Sequence, residues 1–191
     1  MRGEKGLKWM YILLAAGLVA VVGLSLILSK EEKEEGRMEK LAGPSAAEKF
    51  SWSTFAHGTL PFSIMHPPAV SPRELPGTGA LHAVAAFFDG TQGQPSEPIM
   101  VIAAEDMEET YGRIYASAEE FINESPPSPE ARASKVRVGG VTGLLLSGAE
   151  NGGTSYSHLL LAKKGRLWNI IFKSDSARAQ KMLATFKFLD K

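Results

Sequence analysis

The chain has 191 residues, 44% of them hydrophobic and 22% charged, and its 21 basic and 21 acidic side chains leave no formal net charge. That balance excludes a nucleic-acid surface, which relies on concentrated Lys and Arg. The lack of cysteine excludes disulfides, thiolate metal sites, cysteine nucleophiles and lipid attachment through a thiol.

Residues 1–8 form a short basic tail, with Arg2, Lys5 and Lys8, and residues 9–29 carry no charge. The stretch Trp9 to Leu28 is 20 residues long. As a helix it would rise about 30 Å, the thickness of a bilayer's hydrocarbon core. The sequence therefore predicts a single-pass transmembrane helix acting as a signal anchor, with Trp9 and Tyr11 at the headgroup level. A cleaved signal peptide has a shorter apolar core followed by a small-x-small site, which Ile27-Leu28-Ser29-Lys30 does not offer. Positive charges on the two flanks are nearly balanced, so the orientation rests on the short tail, which such first helices commonly leave in the cytoplasm. The expected location is the cell membrane, with the C-terminal domain extracytoplasmic.

Residues 30–49 hold five basic and six acidic side chains, too polar to form a core, and read as a charged linker with breaks at Gly36 and Gly43-Pro44. Residues 50–191 are enough for one domain around one core. Within it, Phe62 to Met65 reads as a strand ended by Pro67-Pro68. Leu81 to Phe88 and Ile99 to Ala104 are continuously apolar, as in strands covered on both faces, and residues 89–95 have hairpin-loop chemistry.

Between Glu108 and Ser125, Tyr111, Ile114, Tyr115, Ala118, Phe121 and Ile122 recur at helical spacing and predict one buried stripe. Ser117-Ala118-Glu119-Glu120 is a capping-box pattern that can start the regular helix, leaving Gly112 in a preceding turn; Pro126-Pro127 stops it. Val136 and Val138 alternate with charges, Gly139-Gly140 turns the chain, and Val141 to Leu146 forms the next strand. Ser155 to Ala162 and Arg166 to Lys173 make a hairpin about Lys163-Lys164-Gly165. Asp175 can cap a last helix that buries Ala179, Met182, Leu183 and Phe186, and Trp168 should be buried. This order predicts an α+β domain, an antiparallel sheet packed between helices.

Phe62-Ser63-Ile64-Met65-His66-Pro67 resembles the opening strand-and-proline signature of PsbP-like domains, a sandwich family named for a photosystem subunit. Tyr156, Lys163-Lys164-Gly165-Arg166-Leu167-Trp168-Asn169-Ile170 and Met182-Leu183-Ala184-Thr185-Phe186-Lys187-Phe188 resemble that family's closing hairpin and terminal helix. The resemblance spans about Phe50 to Leu189, with two departures: His66 stands in place of an aromatic, and Ala69-Val70 where a tryptophan is usual. It implies a non-enzymatic binding or assembly module, often exported or membrane-tethered. It carries over no catalytic residue.

The chemical motifs point the same way. Neither phosphate-binding glycine motif is present, and Gly139-Gly140-Val141-Thr142-Gly143 sits where a turn belongs. His57, His66, His82 and His158 lack the spacing that puts two imidazoles on one helix face. Ser147 lacks the G-x-S-x-G elbow. Glu105-Asp106-Met107-Glu108-Glu109 is the densest acidic cluster, best read as a helix start complementing the dipole. Asn123-Glu124-Ser125 reads as a helix end. No catalytic, cofactor-binding or metal-ligating residue is assigned, and no cofactor. The expected partners are the membrane and a protein of the envelope, with no nucleic acid; the alternatives are an exported hydrolase or ligand sensor whose site the sequence hides, or a support for an oligomeric envelope complex.

Overall fold

The structure, a computed structural model, describes residues 41–78, 81–90, 97–126, 132–151 and 154–190. The expected tail, the transmembrane helix and most of the charged linker lie outside the described residues. Among the described residues no helix is long and apolar enough to cross a membrane.

The chain enters through α1 (Ala46–Ser51), started by a reciprocal cap in which Ser45 accepts from the Glu48 amide and Glu48 accepts from the Ser45 amide. Lys181 donates to the Glu48 carboxylate at 2.6 Å, and that bond, with those from Ser45, holds the Glu48 pKa down at about 2. Ahead of Phe50, Pro44 is buried and Leu41 packs against the core. Strands β1 (Ser53–Ala56) and β2 (Phe62–His66) pair antiparallel, and the short β10 (Lys187–Phe188) returns to the other side of β2. This three-stranded sheet was not legible beforehand except for β2, because a four-residue strand and a two-residue strand carry no period.

The main sheet contains β3 (Val70–Thr78), β4 (Leu81–Asp89), β5 (Pro98–Asp106), β6 (Arg132–Val138), β7 (Val141–Asn151), β8 (Thr154–Lys163) and β9 (Arg166–Lys173). Its order is β3-β4-β5-β9-β8-β7-β6, antiparallel throughout. Five of the six pairings in this order join strands consecutive in the chain; the sixth, β5 with β9, is made possible by the long excursion from β5 through the helices to β6. The expected strands at 81–88, 99–104, 155–162 and 166–173 are all present. β3 contains Pro72 and Pro76, a composition that argues against a central strand, and it lies at the end of the sheet, where a missing N–H leaves no ladder bond unmade.

One face of this sheet turns Leu145, Leu159, Leu161, Trp168, Ile170 and Phe172 toward Phe62 and Ile64 of β2 and toward α4 (Ala177–Leu183). Ala179, Met182 and Leu183 of α4, and Phe186 beyond it, are each no more than 2% exposed, as their spacing predicts. The cap of α4 is Ser176, which accepts from the Ala179 amide, rather than the expected Asp175. A hydroxyl one residue later supplies the same acceptor, so the helix begins one position on.

The opposite face carries Leu144, Leu146, Leu160 and Leu167 under α2 (Met107–Tyr111) and α3 (Ala118–Glu124). The antiparallel sheet is therefore packed between helices, an α+β fold. The buried stripe expected from 108 to 125 needs one correction. Tyr115, Ala118 and Phe121 are buried, but Ile114 is 57% exposed. Gly112 ends α2 in a left-handed conformation, and α3 restarts only after Ser117, which accepts from the Glu120 amide. Residues 112–117 are not helical, so the 3.6-residue period cannot carry Ile114 inward.

Candidate functional site

The polar groups with altered chemistry lie on the face that α2 and α3 partly cover. Along β5, Val101, Ala103 and Glu105 share that face because side chains alternate. Glu105 is only 9% exposed, and Tyr111 Oη of α2 donates to its Oε2 at 2.8 Å. Burial raises the Glu105 pKa despite this bond, and burial together with the neighbouring carboxylate raises that of Tyr111. Tyr111 also packs edge-on against Phe121 and Tyr115, which ties α2 to α3.

Arg113, in the break between these helices, bonds Glu120 and Glu124 and lies 4.7 Å from the Tyr115 ring centre. Tyr115 Oη reaches Glu124 Oε2 at 3.3 Å, and the Ala116 amide donates to Glu120 Oε2 at 2.7 Å. These partners are exposed, so the ion pairs hold a loop rather than stabilise a core.

Two strands away, His158 of β8 and Asn169 of β9 are neighbours on the same face. Burial lowers the His158 pKa, while the Asn169 side chain beside it acts against this. The Asn169 Oδ1 is buried with no hydrogen-bond partner among the described residues. Farther along, Tyr156 Oη donates to Glu97 Oε2 at 3.4 Å, and burial followed by the charge of Glu97 pushes its pKa up to about 12.

Glu105 and His158 give opposite pH dependences. Glu105 has a raised folded value, so its contribution is present below its ordinary 4.5 and is lost as pH rises through the folded value. His158 has a lowered folded value, so its contribution is present above its ordinary 6.5 and is lost as pH falls through the folded value. Glu105→Gln keeps an acceptor for Tyr111 and removes the ionisation. We expect it to melt no lower than the parent at pH 7 and to show a flatter decline from pH 4.5 upward. A melt series in which the variant keeps the parent's slope would remove Glu105 from this role.

The residues considered from sequence are dispersed. His57 is buried, and its Nδ1 accepts from the Thr59 and Leu60 amides at 3.2 and 3.1 Å, so it closes the turn between β1 and β2. His66 ends β2, with Nδ1 3.2 Å from the Pro67 carbonyl oxygen. His82 lies within β4, and Ser147 within β7 opposite Arg132. Among the described residues no three His, Asp or Glu side chains group as metal ligands. The acidic cluster divides: Glu105 is buried, Asp106 caps α2 by accepting from the Glu109 amide at 3.0 Å, and Glu108 and Glu109 are exposed in the first turn. Asn123-Glu124-Ser125 ends α3 as expected. Sequence reasoning missed the inward side of Glu105 and the pair of His158 with Asn169. Alternation along β5 and the register of the β8–β9 hairpin are the signals that locate them.

Neither a family model nor a curated protein sequence matches the chain. Among solved structures, it is similar to a crystal structure from Bacteroides thetaiotaomicron VPI-5482, with 14% identity over 74% of this chain and a TM-score of 0.46; the match spans 50% of that protein. It is also similar to the solution structure of cyanobacterial PsbP (CyanoP) from Synechocystis sp. PCC 6803, with 10% identity, 78% of this chain and 98% of that chain covered, and a TM-score of 0.41.

Proposed function

We propose that the chain is a membrane-anchored, extracytoplasmic, non-catalytic binding or assembly module of the PsbP-like type. The observation that supports this best is where the three PsbP-resembling segments meet. Phe62 of the opening strand lies 5.8 Å from Trp168 of the closing hairpin and 5.5 Å from Phe186 after the terminal helix, measured between ring centres. Trp168 is 5.1 Å from Phe188, and Lys163 Nζ sits 4.2 Å above the Phe188 ring. Segments far apart in sequence thus form one aromatic cluster, which is what a shared fold signature requires. The uncharged run from Trp9 to Leu28 and the charged residues after it supply the tether. A tether raises the local concentration of partners at the membrane, so a weak contact suffices.

Crosslinking of the full-length protein in native membranes should trap the same protein partner reproducibly. Protease added outside sealed spheroplasts should remove a sensitive tag placed after Lys191. Protection of that tag, with an external control cleaved, would reverse the orientation. Turnover of a small substrate by the purified chain, abolished by one substitution that leaves the melt unchanged, would replace the binding reading with the hydrolase alternative.

A further inference from the structure

β6 is the terminal strand of the seven-stranded sheet among the described residues, and its geometry shows which backbone groups face away from β7. The two-residue turn Gly139-Gly140, with φ of 58° and 80°, joins Val138 to Val141, which are paired in register. Residues flanking such a turn exchange both backbone hydrogen bonds. Bonding then alternates, so Val138 and Val136 bond β7, and the N–H and C=O groups of Ala133, Lys135 and Arg137 point to the open edge. All three residues are exposed. Their side chains share the face on which Lys135 Nζ meets Glu119 Oε2 of α3 at 2.8 Å.

We infer that the β6 edge is a docking site for an extended acidic strand of a partner protein, which would add an eighth strand to the sheet. The incoming strand's bonded residues would stand opposite Ala133, Lys135 and Arg137, so carboxylates at alternate positions would meet Arg137 and share Lys135 with Glu119. Charge selects this occupant. A second copy pairing through its own β6 would oppose Lys and Arg with Lys and Arg, which is unfavourable. The other end of the sheet is β3, where Pro72 and Pro76 lack backbone donors. An exposed edge with Lys resists indiscriminate pairing, and a strand of opposite charge is the case that such a device admits. The inference names the partner chemistry for the binding function proposed above and rests on that reading.

The test uses the full chain in neutral detergent micelles with a fluorescein-labelled capped peptide, Thr-Val-Glu-Val-Glu-Val-Thr, and a control with Lys in place of Glu. The acidic peptide should raise the anisotropy, bind more weakly as salt is added, and slow hydrogen exchange at the amides of Ala133, Lys135 and Arg137. The control should not bind. Lys135→Glu combined with Arg137→Glu should weaken the acidic peptide by about tenfold or more and restore binding of the basic one. Ala133→Pro removes an outward donor and no ladder bond, so it should weaken binding while the melt is retained. Equal binding of both peptides, or binding without protection of those amides, would overturn the inference. So would capture of phosphatidylglycerol vesicles through Lys135 and Arg137 with no peptide binding, which would make the edge a lipid contact. A partner trapped in native membranes but unaffected by the double substitution would leave the binding module standing and remove only the edge.

Discussion

Gly143→Ala should destabilise the domain by about 3 kcal/mol, the upper range for forcing atoms into a packed interior. For a domain of this size that lowers the melting temperature by about 10 °C. A Cβ built at Gly143 would lie 2.3 Å from Leu161 Cδ2 and 2.4 Å from the backbone oxygen of Leu160. A leucine methyl can rotate away; the Leu160 oxygen belongs to β8, which is paired on both sides, by β7 and β9, and cannot move without opening a ladder. Leu159, Leu160 and Leu161 are at most 4% exposed, so there is no space for the displaced atoms. The larger Gly143→Val should prevent cooperative folding. Thermal melts of both variants decide the matter, and an unchanged melt for the alanine variant would mean that β7 and β8 do not approach so closely at this point.

That glycine also marks a limit of sequence reading. Gly143 stands inside the run Val141 to Leu146, where it reads only as a weak strand residue, and the reason for it is a neighbour 17 positions along the chain. The same distinction runs through the fold. β4 and β5 were legible because Val84 to Phe87 and Ile99 to Ala104 are apolar at every position, and each of these residues proves buried. The terminal helix was legible because its period is local. β1 and β10 were not, since their pairing with β2 is set by tertiary contact, and β3 was hidden by the two prolines that its edge position tolerates. Ile114 misled because a period of 3.6 persists in the sequence across a break made by Gly112.

The candidate functional surfaces show the same split. The alternation of Val136 and Val138 with charged residues announces a strand, yet only the sheet order shows that its outer side is an edge. Glu105 follows Val101 and Ala103 at alternate positions, which places it on a buried face, but its partner Tyr111 depends on α2 folding back over the end of β5. Local pattern gives the element and its faces. Which face carries chemistry depends on the order of strands.

Trp168 provides the second large effect, and it joins the packing to the segments that resemble PsbP. Trp168→Ala should destabilise by about 3–5 kcal/mol, since the side chain is 1% exposed and contacts Phe62, Phe186 and Phe188. Trp168→Phe, which leaves a smaller cavity, should cost clearly less than Trp168→Ala. The indole Nε1 is buried with no hydrogen-bond acceptor among the described residues, so a phenyl ring keeps most of the aromatic packing and removes an unsatisfied donor. Phe186→Ala should cost about as much as Trp168→Ala. Because the two rings touch, at 6.3 Å between centres, the double variant should fall short of the sum. Chemical denaturation of the parent and the four variants measures each term. If Trp168→Phe were as damaging as Trp168→Ala, the indole nitrogen would have to carry a bond that this arrangement does not give it; if the double variant were strictly additive, the opening strand, the closing hairpin and the terminal segment would not form one cooperative cluster.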